Sequence, residues 1–369
     1  MSQAYDIPGI VQSFDIHGRL TEHAPYGSGH INDTFRIVME HNGRQTPYIL
    51  QRINHLIFRD TDALMANIVR VTAHVRAKLG GAPDAIRRTL TVIPTRAGGV
   101  LHRDADGNSW RAYVFITGAR TYDTIESPRQ AFEAARAFGA FQAVLTDLPG
   151  PRLHDTIPDF HNTPKRLAAL EAAIAADAVK RAHTCSDEIA FVLQRRETTR
   201  VLSDLQRSGE MPERITHNDT KLNNVMLDDA TGEGVCVIDL DTVMPGLALH
   251  DFGDMVRSAT NPAREDERDL SKVAMQFPMF EALVRGFTAS AGGMLTAAEK
   301  RHLAFSGRLI TLEIGMRFLT DYLSGDTYFK THRPGQNLDR CRTQFKLVQS
   351  MEEQRDAMER LVERVLAGG

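Results

Sequence analysis

The sequence predicts an α+β chain in two parts, a small β-rich part over residues 1–117 and a larger, mostly helical part over 118–369. Three observations carry this. Short alternating runs between turn residues fill the first third, and longer runs with apolar residues at helical spacing fill the rest. A length of 369 residues also exceeds what one small core accommodates.

Taken in order, DTFRIVME (33–40) and TPYILQRI (46–53) read as a hairpin, with Asn42-Gly43 in HNGR as its turn. Residues 60–81 have helical spacing and end in Gly80-Gly81, a C-cap signal. TLTVIPT (89–95), GVLHR (99–103) and SWRAYVFIT (109–117) are further strands, the last two separated by the tight DADGN turn. From Ser127 the character changes: Ser127 is an N-cap, Pro128 stands at N1, and one apolar face follows. Thr296 and Glu299 form a capping box for a helix over 296–323, and residues 339–366 are again amphipathic. After residue 130 only the runs around THNDTKLNNV and GVCVIDL look β-like.

Composition excludes several classes. The chain is 42% hydrophobic and 25% charged, as ordinary globular proteins are, and its net charge of −3 gives no support to bulk nucleic-acid or anionic-membrane binding. The first residues lack the basic and apolar regions of a secretory signal, and no apolar run is long enough to span a bilayer. Cys185, Cys236 and Cys341 are odd in number and far apart, which suits reduced, packed thiols better than a disulfide frame or zinc site. The expectation is a cytoplasmic protein, monomer or weak homodimer, with neither nucleic acid nor membrane as partner.

The chemistry concentrates in THNDTKLNNV (216–225) and GVCVIDLDTV (234–243). Phosphoryl transfer needs an acceptor for the proton of the attacking hydroxyl, which Asp219 supplies. It needs hard oxygen ligands for Mg²⁺, and Asn224 and Asp239 offer an amide carbonyl and a carboxylate. A cation near the transferring group adds to this, and Lys221 is placed for it. His217 reads as a structural brace of the loop. Asp241 is either a further metal-site acid or a solvated strand end. Upstream, Gly27-Ser28-Gly29 lets the backbone turn tightly towards phosphate oxygens, with Ser28 adding a hydroxyl donor.

HNDTKLNN resembles the catalytic loop of protein kinases and, more closely, that of the aminoglycoside phosphotransferase family of small-molecule kinases. Within that family the likeness is greatest to the N-acetylhexosamine 1-kinases. It runs through YGSGHINDTF (26–35), YILQRIN (48–54), AFGAFQ (137–142), DTIPDFHNT (155–163), HNDTKLNNVM (217–226), VIDLDTVMPG (237–246), HDFGDMVRS (250–258) and RFLTDYLSGDTYF (317–329). The resemblance implies a bilobal, protein-kinase-like fold, with a small β-rich N-lobe (1–117) and a large α-helical C-lobe (118–369). ATP and Mg²⁺ are the implied cofactors. The implied acceptor is a small sugar, phosphorylated at the anomeric hydroxyl of N-acetylglucosamine or N-acetylgalactosamine.

The same resemblance assigns individual residues. His30, Asn32 and Asp33 reach the sugar, as do Arg317 and Tyr328. The backbone of Val114, Phe115 and Ile116 forms the hinge that meets the adenine edge. Asp251, although it stands in a D-F-G tripeptide, lies 32 positions beyond Asp219, whereas Asp239 lies 20 beyond it; the metal role therefore goes to Asp239 and a structural role to Asp251. The usual phosphate lysine is missing, and Gln51 and Arg52 stand in its region, only one of them able to face the nucleotide. Arg52 is the candidate nucleotide residue. His154 and His161 read as core or turn histidines. The rival readings are a kinase of this superfamily acting on an aminoglycoside, choline, homoserine or another sugar, and a nucleotide-binding pseudokinase.

Overall fold

The alternation in the first third builds a six-stranded antiparallel sheet, seen in a computed structural model that describes residues 5–27 and 31–368. A short helix α1 (Ile7–Val11) precedes β1 (Arg19–Pro25), β2 (Asp33–His41) and β3 (Arg44–Ile53). Helix α2 (Thr61–Lys78) follows, then β4 (Val92–Ile93), β5 (His102–Arg103) and β6 (Ser109–Val114). The strand order is β1-β2-β3-β6-β4, with β5 pairing β6. Asn42 and Gly43 take φ values of 50° and 76°, the left-handed conformations that a two-residue hairpin turn demands. They set the register that places Gln51 opposite Thr34 and Arg52 opposite Asp33. Asp60 caps α2 by accepting the Ala63 N–H, one residue before the helix begins.

One face of the sheet is apolar. Ile37, Met39, Leu50, Trp110 and Ala112 pack there against Ile7, Ile10, Val11 and Phe14. Neither α1 nor β1 stands out by local pattern: α1 has only five residues, and β1, RLTEHAP, carries few apolar ones.

By compactness the chain divides into two units. The first comprises Met1–Ala119, Asp147–Pro158 and Val235–Met244, and the second comprises Arg120–Thr146, Asp159–Gly234 and Pro245–Gly369. In the first, the Asn67 side chain on α2 accepts the His154 N–H and donates to the carbonyls of His154 and Val243, tying three separate stretches together. In the second, the helix Pro128–Val144 crosses Phe277–Ala291 at close range because Gly286 faces the Phe132 carbonyl. A Cβ there would lie 2.2 Å from that oxygen. The capping box of Thr296 and Glu299 is present, but the helix breaks at His302, giving Ala297–Arg301 and Leu303–Leu323. The longer of these is buried along most of its length, packed with Leu167, Leu170, Leu338, Phe345 and Val348. All three cysteines are unpaired and buried. Among the described residues no helix is long and apolar enough to cross a membrane.

Candidate active site

The strand Arg214–Thr216 delivers the chain into a loop that returns through a single turn, Leu222–Asn224, to the strand Val225–Asp228. Helix Ala248–Ala259 holds this loop from one side. Asp251 and Asp254, three residues apart and so on one helical face, both reach it. Asp251 accepts the N–H groups of His217 (2.9 Å) and Asn218 (2.7 Å) together with the Gln142 amide (2.5 Å). Asp254 accepts the Thr220 N–H, and the Thr220 hydroxyl donates to the Asp251 carbonyl. His217 is fully buried against the rings of Phe138 and Phe141.

This frame presents Asp219. Lys221 Nζ lies 2.9 Å from its Oδ1, and the Asn224 amide donates to its Oδ2 (3.2 Å) and to its backbone carbonyl (2.8 Å). Burial pushes the Asp219 carboxyl upward, but Lys221, His217 and Arg257 outweigh it and hold the group below the usual carboxylate range. Lys221 is raised in turn, chiefly by Asp219. Asp251 goes the other way: burial raises it despite His217 and its hydrogen bonds. The carboxylate kept ionised is the one at the loop's tip.

A divalent cation fits the chemistry of the groups present. The Asn224 amide nitrogen is engaged with Asp219, which leaves Oδ1 without a hydrogen bond and available as a hard ligand. Asp239 follows the strand Gly234–Val237 and holds φ at 57°, an uncommon conformation for a residue other than glycine. Among the described residues no group of three or more His, Cys, Asp or Glu is gathered that could enclose a metal. Taken singly, an amide oxygen and a carboxylate are each the kind of oxygen donor that Mg²⁺ takes.

In the first unit strand register sets the partners of several candidate residues. Strand alternation puts Thr34, Gln51 and Arg111 on one face and Asp33, Arg52 and Trp110 on the other. Arg52 is held at 2.6 Å by Asp33 and lies over the Tyr5 ring, and Asp33 also accepts the Tyr5 hydroxyl. The two charges therefore offset each other in this structure. Asn32 is engaged at both ends, its amide donating to Asp241 (2.7 Å) and its carbonyl accepting the Asn54 N–H. Asp241 takes Arg111 on its other oxygen.

Arg111 is the residue that sequence reasoning missed. Its guanidinium donates to Gln51 Oε1 (3.0 Å) and Asp241 Oδ1 (2.5 Å) and is almost wholly buried. Burial opposes its charge, but Asp241, Tyr113 and Asp239 outweigh that and raise its pKa. The available signal was parity: an arginine inside an otherwise apolar central strand must find a buried partner.

Arg317 and Tyr328 are brought together. The Arg317 guanidinium lies over the rings of Phe160, Tyr328 and Phe329 at 5.2–5.9 Å, with the Tyr328 hydroxyl 3.5 Å from Nη2. It forms no pair with Asp321, four residues on. Asp321 instead accepts the N–H groups of Thr327, Tyr328 and Phe329 and the Asn337 amide, and so fixes the loop carrying Tyr328. Arg166 stands near enough that burial and the Arg317 charge lower its pKa.

Val114 ends β6 and gives its N–H to the Thr91 carbonyl; Phe115 and Ile116 follow beyond the strand. Phe115 meets the Tyr26 ring. Gly27 takes φ 81°, while Ser28, Gly29 and His30 lie outside the described residues.

Residues 22–278 match the phosphotransferase enzyme family, APH. Among solved structures, the chain is similar to an aminoglycoside phosphotransferase from Alicyclobacillus acidocaldarius, at 14% identity and a TM-score of 0.60, over 100% of this chain and 98% of that one. It is also similar to a choline kinase from Cryptosporidium parvum, at 14% identity and a TM-score of 0.55, over 98% of both chains. A third is a spectinomycin phosphotransferase solved with ADP and spectinomycin, at 13% identity and a TM-score of 0.51, over 95% and 99%. These likenesses establish a kinase-like α+β fold, and the family match covers well over half of the sequence. The chain belongs to the phosphotransferase enzyme family.

Proposed function

We propose that the protein transfers the γ-phosphoryl group of ATP to a hydroxyl of a small molecule, the anomeric hydroxyl of an N-acetylhexosamine being the preferred acceptor. The observation that carries the chemistry is Asp219, half-buried and held ionised beside Lys221 and Asn224. Asp219 takes the proton of the attacking hydroxyl as its oxygen bonds to phosphorus, and ADP leaves. Lys221 offsets charge on the transferring group. Asn224 and Asp239 are the residues proposed to hold Mg²⁺, which when bound would offset negative charge on the transferring group. Residues 1–117 are assigned the phosphate loop at Gly27 and the hinge at Val114–Ile116, and residues 118–369 the catalytic loop and acceptor pocket. On the sheet face where a phosphate lysine is usual, Arg111 is instead held in a buried ion pair with Asp241.

The acceptor assignment has its own physical support. Aromatic clusters often recognise cationic ligands such as quaternary ammonium groups. Here Phe160, Tyr328 and Phe329 already surround the Arg317 guanidinium, with Arg166 nearby. Two arginines repel choline or a polycationic aminoglycoside and suit a neutral acceptor bearing carbonyl and hydroxyl oxygens. The test is ADP release with Mg-ATP across N-acetylglucosamine, N-acetylgalactosamine, choline, homoserine and an aminoglycoside. The highest kcat/KM belongs to an N-acetylhexosamine on this reading; a higher value for a cationic acceptor refutes it. Nucleotide binding without turnover on any acceptor would make the chain a pseudokinase.

A further inference from the structure

The carbonyl of Asn218, the residue before Asp219, accepts a hydrogen bond from a buried histidine to which phosphoryl transfer assigns no task. His161 Nε2 stands 3.1 Å from that oxygen, and its Nδ1 stands 2.7 Å from Glu313 Oε1. The other Glu313 oxygen accepts the Thr163 hydroxyl. The side chains of His161 and Glu313 are 3% and 0% exposed.

The hydrogen-bond chemistry fixes the protonation. A carbonyl oxygen cannot donate, so Nε2 carries a proton. The proton between Nδ1 and the carboxylate rests on the stronger base, the imidazole, whose ordinary pKa is about two units above that of Glu. His161 is therefore an imidazolium, and its bond to Asn218 is charge-assisted, roughly twice as strong as a neutral one. The groups facing it are Glu313 on helix Leu303–Leu323, and His250 and Asp254 on helix Ala248–Ala259. Burial opposes the imidazolium, but Glu313 and Asp254 outweigh it, so its pKa is raised. The neighbouring His250 ring, 5.1 Å away, is pushed down to about 3 by burial and by His161, which keeps it neutral.

Asn218 has reason to need such an anchor. It holds φ at 65°, in the sparsely populated left-handed region, at the point where the chain turns to present Asp219. Its N–H is fixed by Asp251 on helix Ala248–Ala259 and its carbonyl by His161 in the turn before helix Thr163–Ala176, so both polar groups of one residue are fastened to its surroundings.

We propose that His161, kept as an imidazolium by Glu313, is a positioning residue that fixes the Asn218 carbonyl and thereby sets where the Asp219 carboxylate stands during phosphoryl transfer. The proposal rests on Asp219 acting as the base. Sequence alone does not reveal it, because His161 and Glu313 are 152 residues apart.

The test is nitrogen-15 NMR of the histidine rings in the full chain, with His161 assigned by the His161→Asn variant, alongside steady-state kinetics. The expected spectrum shows two ring N–H groups on His161 at pH 7, one of them lost in Glu313→Gln. Glu313→Gln keeps a bond to a neutral ring, and its kcat is expected to fall about tenfold with the KM for Mg-ATP within about twofold, as displacement of a reacting group requires. A single N–H on wild-type His161 at pH 7, or wild-type kcat in Glu313→Gln, overturns the proposal. Failure of the base assignment is separable: wild-type turnover in Asp219→Asn removes that role and leaves the ring spectrum as it was.

Discussion

Arg111 and Asp241 form an ion pair of 2.5 Å with side chains only 1% and 3% exposed. It joins the central strand β6 to a residue two positions beyond Asp239. Buried pairs of this kind contribute little net stability against an apolar substitute, but breaking one is costly.

Arg111→Met is therefore expected to destabilise the fold by about 3–5 kcal/mol, because Asp241 is left charged, buried and unpaired. Arg111→Met with Asp241→Leu should recover a large part of that loss in urea unfolding, without recovering activity. A single variant within about 1 kcal/mol of wild type would show that the pair is not the constraint inferred here.

Lys221→Met removes the cation that does most to hold Asp219 ionised. The Asp219 pKa then rises, and the base is competent only above it. The acid limb of the kcat profile should move to higher pH, alongside a lower plateau. An acid limb that stays in place would separate Lys221 from Asp219.

How much of this could be read in the sequence depends on distance along the chain. The Asn42-Gly43 turn, the Asp219–Asn224 loop and the Thr296 capping box are local, and local rules identified them. The partners of Arg52 and Asp33 are set by strand register, which puts Arg52 on the face opposite Arg111, and no local pattern shows that. Arg111 and Asp241 lie 130 residues apart, and no local pattern links them. The break at His302 also escaped notice, since the apolar spacing continues across it.

Arg317→Met and Tyr328→Phe should raise the acceptor KM while leaving that for Mg-ATP within about twofold. Loss of a hydrogen bond from a charged donor, worth about 1.5–3 kcal/mol, makes about a tenfold change or more for Arg317 the expectation. Asp321→Asn loosens the 327–329 backbone and should shift the same constant in the same direction. A change confined to the nucleotide KM would move Arg317 out of the acceptor pocket.

The pH dependence of stability carries a further signature. His250 is held neutral with its pKa depressed to about 3, so the unfolded chain takes up a proton that the folded one refuses. Its contribution is complete above about pH 6.5 and is lost as pH falls towards 3. His161 is raised, so its contribution is constant below about 6.5 and declines only as pH rises through its folded value. Glu313, depressed to about 2, loses its contribution only below about 4.5. Between about pH 6.5 and 4.5, wild type should therefore lose stability relative to His250→Gln. Parallel curves for the two proteins would show that His250 is protonated in the native state.

The most direct test of the central claim is phosphorus NMR of the product formed from Mg-ATP and N-acetylglucosamine or N-acetylgalactosamine. The account predicts a sugar phosphate whose phosphorus couples to the anomeric proton, and its loss, by about 10²-fold or more in rate, in Asp219→Asn. Phosphate on another hydroxyl, no transfer to either sugar, or undiminished transfer by Asp219→Asn would contradict it.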